Sequence, residues 1–129
     1  MNRAGFRLRV MAAVAATAGF LAVLRVARPR RVVVTGMSMA PTLLPGDRLL
    51  VVPSRRLRPG DLVAVPDPRR SGRLLVKRVV ALSGGLVELR GDDPRHSTDS
   101  RVFGRVPRRS VRGRVVRRYA PPARRGPVG

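Results

Sequence analysis

After residue 31 this chain shows no long amphipathic helical pattern, only short apolar runs broken repeatedly by proline and glycine, and that restricts it to a small β fold. The runs Val32–Thr35, Arg48–Val52, Leu62–Val65, Arg73–Leu82, Leu86–Arg90 and Val111–Tyr119 read as strands. Leu44-Pro45-Gly46-Asp47, Arg58-Pro59-Gly60-Asp61 and Ser83-Gly84-Gly85 supply turns between them. Pro-Gly-Asp occurs twice, which marks a shared turn type and not a repeat. The expectation is a mostly β domain over residues 32–119. A tail rich in Pro, Arg and Gly, residues 120–129, is expected to be disordered.

Residues 1–31 differ in character. Arg3, Arg7 and Arg9 precede the uncharged, alanine-rich run Val10–Leu24, and Arg25, Arg28, Arg30 and Arg31 follow it. The run alone is shorter than the ~20 residues that span a bilayer. Counted from Leu8 to Ala27, with Arg9 and Arg25 snorkelling outward, the length suffices. Three readings compete: a signal peptide cleaved near Ala16-Thr17-Ala18, a retained single-pass anchor, and a buried soluble helix. Basic residues on the far flank favour the anchor. Both flanks are basic, so charge alone leaves the orientation open.

The formal net charge is +21, almost all of it from arginine. This balance suits anionic partners, whether acidic lipid or nucleic acid. A general bias toward arginine explains the same number without any partner. Phe103 and Tyr119 are the only aromatics after residue 31, too few for a base-stacking platform. The absence of cysteine excludes disulfides, thiol catalysis and cysteine metal sites. With His96 the single histidine, a multi-histidine metal site is impossible, and no cofactor is expected.

Two residues stand out against this background. Ser38 lies between Met37 and Met39 in a turn-like segment bounded by Gly36 and Pro41, and Lys77 is the only lysine in the chain. A serine hydroxyl is a poor nucleophile until a base removes its proton. Arginine cannot serve, because its guanidinium stays protonated at accessible pH. Lysine can, if burial lowers its pKa from about 10.4 by roughly 2–3 pH units, at about 1.4 kcal/mol each. In Leu74-Leu75-Val76-Lys77-Arg78-Val79-Val80-Ala81-Leu82, a strand would put Leu75, Val79 and Ala81 on the lysine's face. An ordinary loop serine and a solvated edge-strand lysine are the plain alternatives.

The motifs around these residues resemble those of type I signal peptidases, the membrane-anchored Ser-Lys proteases. Gly36-Met37-Ser38-Met39-Ala40-Pro41-Thr42-Leu43 is similar to their nucleophile box. Pro45-Gly46-Asp47-Arg48-Leu49-Leu50-Val51, Pro59-Gly60-Asp61-Leu62-Val63 and Val76-Lys77-Arg78-Val79-Val80 follow in the family's order. Gly91-Asp92-Asp93-Pro94, continued by Ser97-Thr98-Asp99-Ser100-Arg101-Val102-Phe103-Gly104, resembles the last box.

The resemblance implies a small signal-peptidase-like β domain with an N-terminal transmembrane helix. It implies Ser38 as nucleophile, Lys77 as general base, and the Ser38 N–H as an oxyanion donor. Ser97 matches the serine that orients the lysine, and Asp99 and Arg101 match a structural ion pair. Gly36 stands where many relatives place a second serine that completes the oxyanion hole, and Asp93 stands where an asparagine is usual. His96 has no role in the motif. The implied substrates are precursors with signal or leader peptides, cleaved outside the cytoplasm at the cell membrane, with anionic lipid as a further partner and no specific nucleic acid. Short relatives that trim the precursor of nickel-type superoxide dismutase carry a last box similar to Thr98–Pro107, which makes one dedicated precursor an alternative. A basic module that binds nucleic acid or lipid is the non-enzymatic alternative.

Overall fold

The computed structural model describes residues 28–128. The expected anchor lies almost wholly outside them. No helix of the described residues is long and apolar enough to cross a membrane.

Among the described residues seven antiparallel strands form one sheet: β1 Arg30–Val33, β2 Arg48–Val52, β3 Leu62–Pro66, β4 Leu74–Ser83, β5 Leu86–Arg90, β6 Val106–Pro107 and β7 Gly113–Ala120. Their order across the sheet is β1-β2-β7-β3-β4-β5-β6. The mostly β expectation holds, and β2 and β5 have the bounds read from sequence. β1 begins and ends two residues earlier than Val32–Thr35. Val34 and Thr35 instead lead into the serine turn, with the Val34 N–H donating to the Asp47 carbonyl at 2.9 Å. One short helix, α1 (Ser100–Phe103), is capped by Asp99, whose carboxylate accepts from the Arg101 N–H.

β3 explains how the core is laid out. Its run Leu62-Val63-Ala64-Val65 is buried throughout, as a strand covered on both faces must be. Alternation sends Leu62 and Ala64 into one cluster with Val34, Met39, Leu43, Leu49, Val51 and Val115. Val63 and Val65 enter a second cluster with Leu75, Val79, Val87, Leu89 and Val106. The first cluster holds the segment that carries Ser38; the second holds the strand that carries Lys77. On β4, Leu75, Lys77 and Val79 are all buried, as expected from their shared face. Ala81 departs from that face. A register irregularity between Val79 and Ala81 breaks the alternation, and Leu82 packs on the second cluster instead.

The two Pro-Gly-Asp turns are built alike. Gly46 and Gly60 adopt φ values of 91° and 98°, in the region an L side chain avoids. In each, the aspartate carboxylate accepts from the backbone N–H three residues back, Leu44 for Asp47 and Arg58 for Asp61, both at 2.9 Å.

Residues 120–128 correct the expectation of a disordered tail. Arg118 and Gly126 form a β-bridge, Pro122–Arg124 makes a 3-10 turn, and Val128 packs against the first cluster. The cause is electrostatic. Asp47 is buried, and Arg124 grips both of its carboxylate oxygens, with Nε and Nη2 each at 3.0 Å. Arg118 Nη1 donates to the same carboxylate at 3.2 Å and to the Thr42 carbonyl at 3.0 Å. A basic tail therefore closes over an acidic group at the end of the serine segment. Asp47→Ala leaves two crowded guanidinium groups without their carboxylate and is expected to cost about 3 kcal/mol in chemical denaturation. An unchanged midpoint would show that the clamp contributes nothing.

Candidate active site

Ser38 sits in the turn between β1 and β2, and the residues that follow it fix its place. Met39 and Leu43 are fully buried in the first cluster and pin the segment from below. The Leu43 N–H donates to the Met39 carbonyl at 2.9 Å, and the Ala40 N–H to the Met37 carbonyl at 3.0 Å. Met37, by contrast, is exposed. The last box holds the serine from its other side, since the Asp93 N–H donates to the Ser38 carbonyl at 2.9 Å.

A cavity of about 120 Å³ opens beside this turn, lined by Ser38, Met37 and Val33 on one wall and by Lys77, Leu75 and Arg73 on the other. The structure thus brings Ser38 and Lys77, far apart in sequence, to one cavity. Lys77 is only 2% exposed. Its Nζ donates to Ser97 Oγ at 3.2 Å. Burial pushes its pKa below the ordinary lysine value; the Asp99 carboxylate opposes that shift, and Arg73 and Arg69 reinforce it.

Ser97 is saturated in a way that fixes its direction. Its hydroxyl donates to Asp99 Oδ2 at 2.7 Å, and its oxygen accepts from Lys77 and from the Gly91 N–H, the latter at 3.1 Å. An ionised carboxylate only accepts, so the Ser97 proton belongs to Asp99 and the oxygen faces the amine. Asp99 is fully buried. Burial by itself raises its pKa, but hydrogen bonds from the Arg101 side chain, the Gly91 N–H and Ser97 outweigh that and hold it well below the usual carboxylate range. Arg101 binds it through Nε at 3.0 Å and Nη2 at 2.8 Å. Asp99 and Arg101 are therefore more than a surface pair: they fix the serine that touches the lysine.

Gly36 is exposed, and a Cβ there would meet nothing within 4 Å, so the missing serine hydroxyl reflects sequence and not lack of room. Asp93, in the asparagine position, turns its carboxylate outward to His96 Nδ1 at 2.8 Å and the Arg95 N–H at 3.0 Å. His96 is exposed, yet it lines the cavity beside Thr98.

Sequence reasoning passed over two contributors. Asp92 accepts Thr42 Oγ1 at 2.6 Å and a two-pronged contact from Arg78, Nη2 at 2.7 Å and Nε at 2.8 Å. It ties the serine segment to the lysine strand. Gly91 is the other: a Cβ there would lie 2.2 Å from Ser97 Oγ and 2.6 Å from the Ser38 carbonyl. Its place in the Gly-Asp-Asp box was the available signal.

The family model for signal peptidases, peptidase S26, matches residues 7–93. This chain belongs to that family. Among curated relatives, the mitochondrial ATP-independent inner membrane protease subunit 1b of Arabidopsis thaliana is 32% identical, covering 73% of this chain and 72% of the relative. Subunit 1a of the same plant is 34% identical, covering 69% of each. The mitochondrial inner membrane protease subunit 1 of Xenopus tropicalis is 31% identical, covering 75% of this chain and 72% of its own. The family match takes in Ser38 and Lys77 and ends at Asp93, so Ser97, Asp99 and Arg101 lie beyond it.

In this peptidase, Gly91→Ala must separate Ser97 from the Ser38 backbone. Peptide cleavage is expected to fall by at least about tenfold, since small misplacements in a catalytic array carry costs of that size or more. Activity equal to the parent would show that the close approach at Gly91 is not needed.

Proposed function

We propose that this peptidase is a membrane-anchored serine endopeptidase that removes signal or leader peptides from exported precursors, with Ser38 as nucleophile and Lys77 as general base. The observation that carries the reading is the buried Lys77 amine in the Ser38 cavity, held by a hydroxyl whose own proton is committed to Asp99. A neutral amine held through one N–H keeps its lone pair available for the Ser38 proton.

In this reading Ser38 Oγ attacks the scissile carbonyl while Lys77 takes its proton. The oxyanion develops beside the Ser38 N–H, which makes no backbone hydrogen bond among the described residues. Collapse expels the amine of the mature protein, which takes the proton from Lys77. Neutral Lys77 then deprotonates a water, whose oxygen attacks the acyl carbonyl; the ester bond to Ser38 Oγ breaks, the leader leaves as a carboxylic acid, and Ser38 Oγ takes the proton back from Lys77. Ser97 orients Lys77, Asp99 and Arg101 orient Ser97, and Met39 fixes the turn. Gly36 leaves the oxyanion hole without a side-chain donor at that position.

Membrane attachment rests on Val10–Leu24, which lies outside the described residues but inside the family match. The relatives named as mitochondrial inner membrane proteases support membrane association, and in this reading the catalytic domain lies on the outer face of the cell membrane. Exposed arginines add attraction to anionic lipid, weakened by salt. A dedicated precursor, such as that of nickel-type superoxide dismutase, is the second reading, favoured by Thr98–Pro107. Membership of a peptidase family weighs against a binding module alone.

A reconstituted cleavage assay on exported precursors, with the nickel enzyme's precursor included, tests the dyad and the substrate together. Ser38→Ala and Lys77→Arg are both expected to lose at least about 10³-fold in activity. Full activity of Lys77→Arg would exclude the lysine base, because arginine cannot accept the proton.

A further inference from the structure

The catalytic cavity has one wall that the dyad does not use. Between β3 and β4 the chain turns at Asp67-Pro68-Arg69-Arg70, and this turn is organised by a buried carboxylate. Asp67 Oδ1 accepts the Arg69 N–H at 2.9 Å, and the Asp67 N–H donates to the Arg73 carbonyl at 2.8 Å. The Arg69 guanidinium lies on the same carboxylate, with Nε at 3.3 Å and Nη2 at 3.4 Å. Arg73 approaches it only at 4.0 Å, its sole ion-pair contact among the described residues, and its side chain is 47% exposed. Arg69 and Arg73 both line the cavity of Ser38 and Lys77. Two guanidinium groups thus share one carboxylate, which leaves a surplus positive charge facing the space a substrate must enter.

The position of that charge is set by the strand. Arg73 directly precedes β4 and its carbonyl accepts the Asp67 N–H, so the extended chain carries Arg73 on toward the face of Leu75 and Lys77; a rise of about 3.3 Å per residue puts it roughly 13 Å from Lys77. An extended peptide lying in the cavity advances at the same pitch. The length of an arginine side chain shortens the gap, so its reach falls two to four residues from the scissile bond.

The geometry points to Arg69 and Arg73 as a specificity subsite that selects peptides carrying a carboxylate side chain two to four residues from the bond cleaved. Val33, Met37 and Leu74, all exposed along the same cavity, receive the apolar side chains between. Arg73 is the reading residue, because its guanidinium makes no hydrogen bond among the described residues; Arg69, oriented by Asp67, supports it. The inference rests on the Ser38 cavity being the peptide site, and binding tests it without requiring cleavage.

The experiment uses the full chain carrying Ser38→Ala in detergent micelles, and fluorescein-labelled alanine-rich peptides in which one Asp, Asn or Lys is moved through every position. Anisotropy gives each affinity. The expected result is a positional peak: Asp binds about three- to fivefold tighter than Asn at one or two adjacent positions, the scale of a partly exposed ion pair, and Lys binds more weakly there. Adding Arg73→Glu removes the peak, and Arg69→Glu with Arg73→Glu inverts it toward Lys. Arg114→Glu with Arg117→Glu, exposed on β7, serves as the control for general attraction by a basic protein. It weakens all Asp peptides alike and leaves the peak in place. A flat profile, or a peak unchanged by Arg73→Glu, overturns the subsite. The peak retained while the parent chain, with Ser38 intact, cleaves none of these peptides would instead count against the dyad.

Discussion

An amine buried beside a hydroxyl whose proton is already committed elsewhere is the constraint on which the rest of this structure depends. Lys77 can work as a base only if it is neutral, and burial on β4 favours that state. Burial alone would leave the amine free to rotate. Ser97 stops that rotation, and it can do so only because Asp99 takes its proton. Asp99 in turn is kept ionised inside the protein by Arg101 and by the Gly91 N–H. Its charge pulls the Lys77 pKa upward, against burial, while Arg73 and Arg69 push it down. The state of the amine is therefore a balance between a carboxylate that positions it and guanidinium groups that discourage its protonation.

The fold serves this arrangement by joining two cores across β3. One core holds the turn of Ser38 and the other the strand of Lys77, so their separation depends on how well the two are tied. Asp92 supplies a tie, with Thr42 on one side and Arg78 on the other. Asp47 supplies another, gathering Arg118 and Arg124 beneath the same segment. The acidic residues are few in this basic chain, and four of them, Asp47, Asp67, Asp92 and Asp99, sit at such junctions. Most arginines elsewhere among the described residues are exposed.

Much of this was legible in the sequence because its signals are local. Valine-rich runs between Pro-Gly turns gave most strands, and a lone lysine among leucine and valine marked a buried amine. What was not legible depends on partners far along the chain. The tail reads as disordered from its own residues; its order comes from Asp47, 77 positions from Arg124. β6 is two residues long and exists only by pairing with β5. Unbroken alternation puts Ala81 on the Lys77 face, and the irregularity after Val79 that moves it is set by pairing with β5. The motif marks Asp99 and Arg101 as an ion pair, but sequence does not show that Ser97 and Gly91 close over the carboxylate.

The uniqueness of Lys77 makes the central claim directly measurable. Protein labelled with ¹³C,¹⁵N-lysine has a single Nζ, which can be followed through its Cε protons as pH is raised, without overlap from any other lysine. The account predicts a midpoint below the ordinary value of about 10.4. A midpoint at or above that value would mean that the buried amine stays charged at working pH, and would contradict Lys77 as the base.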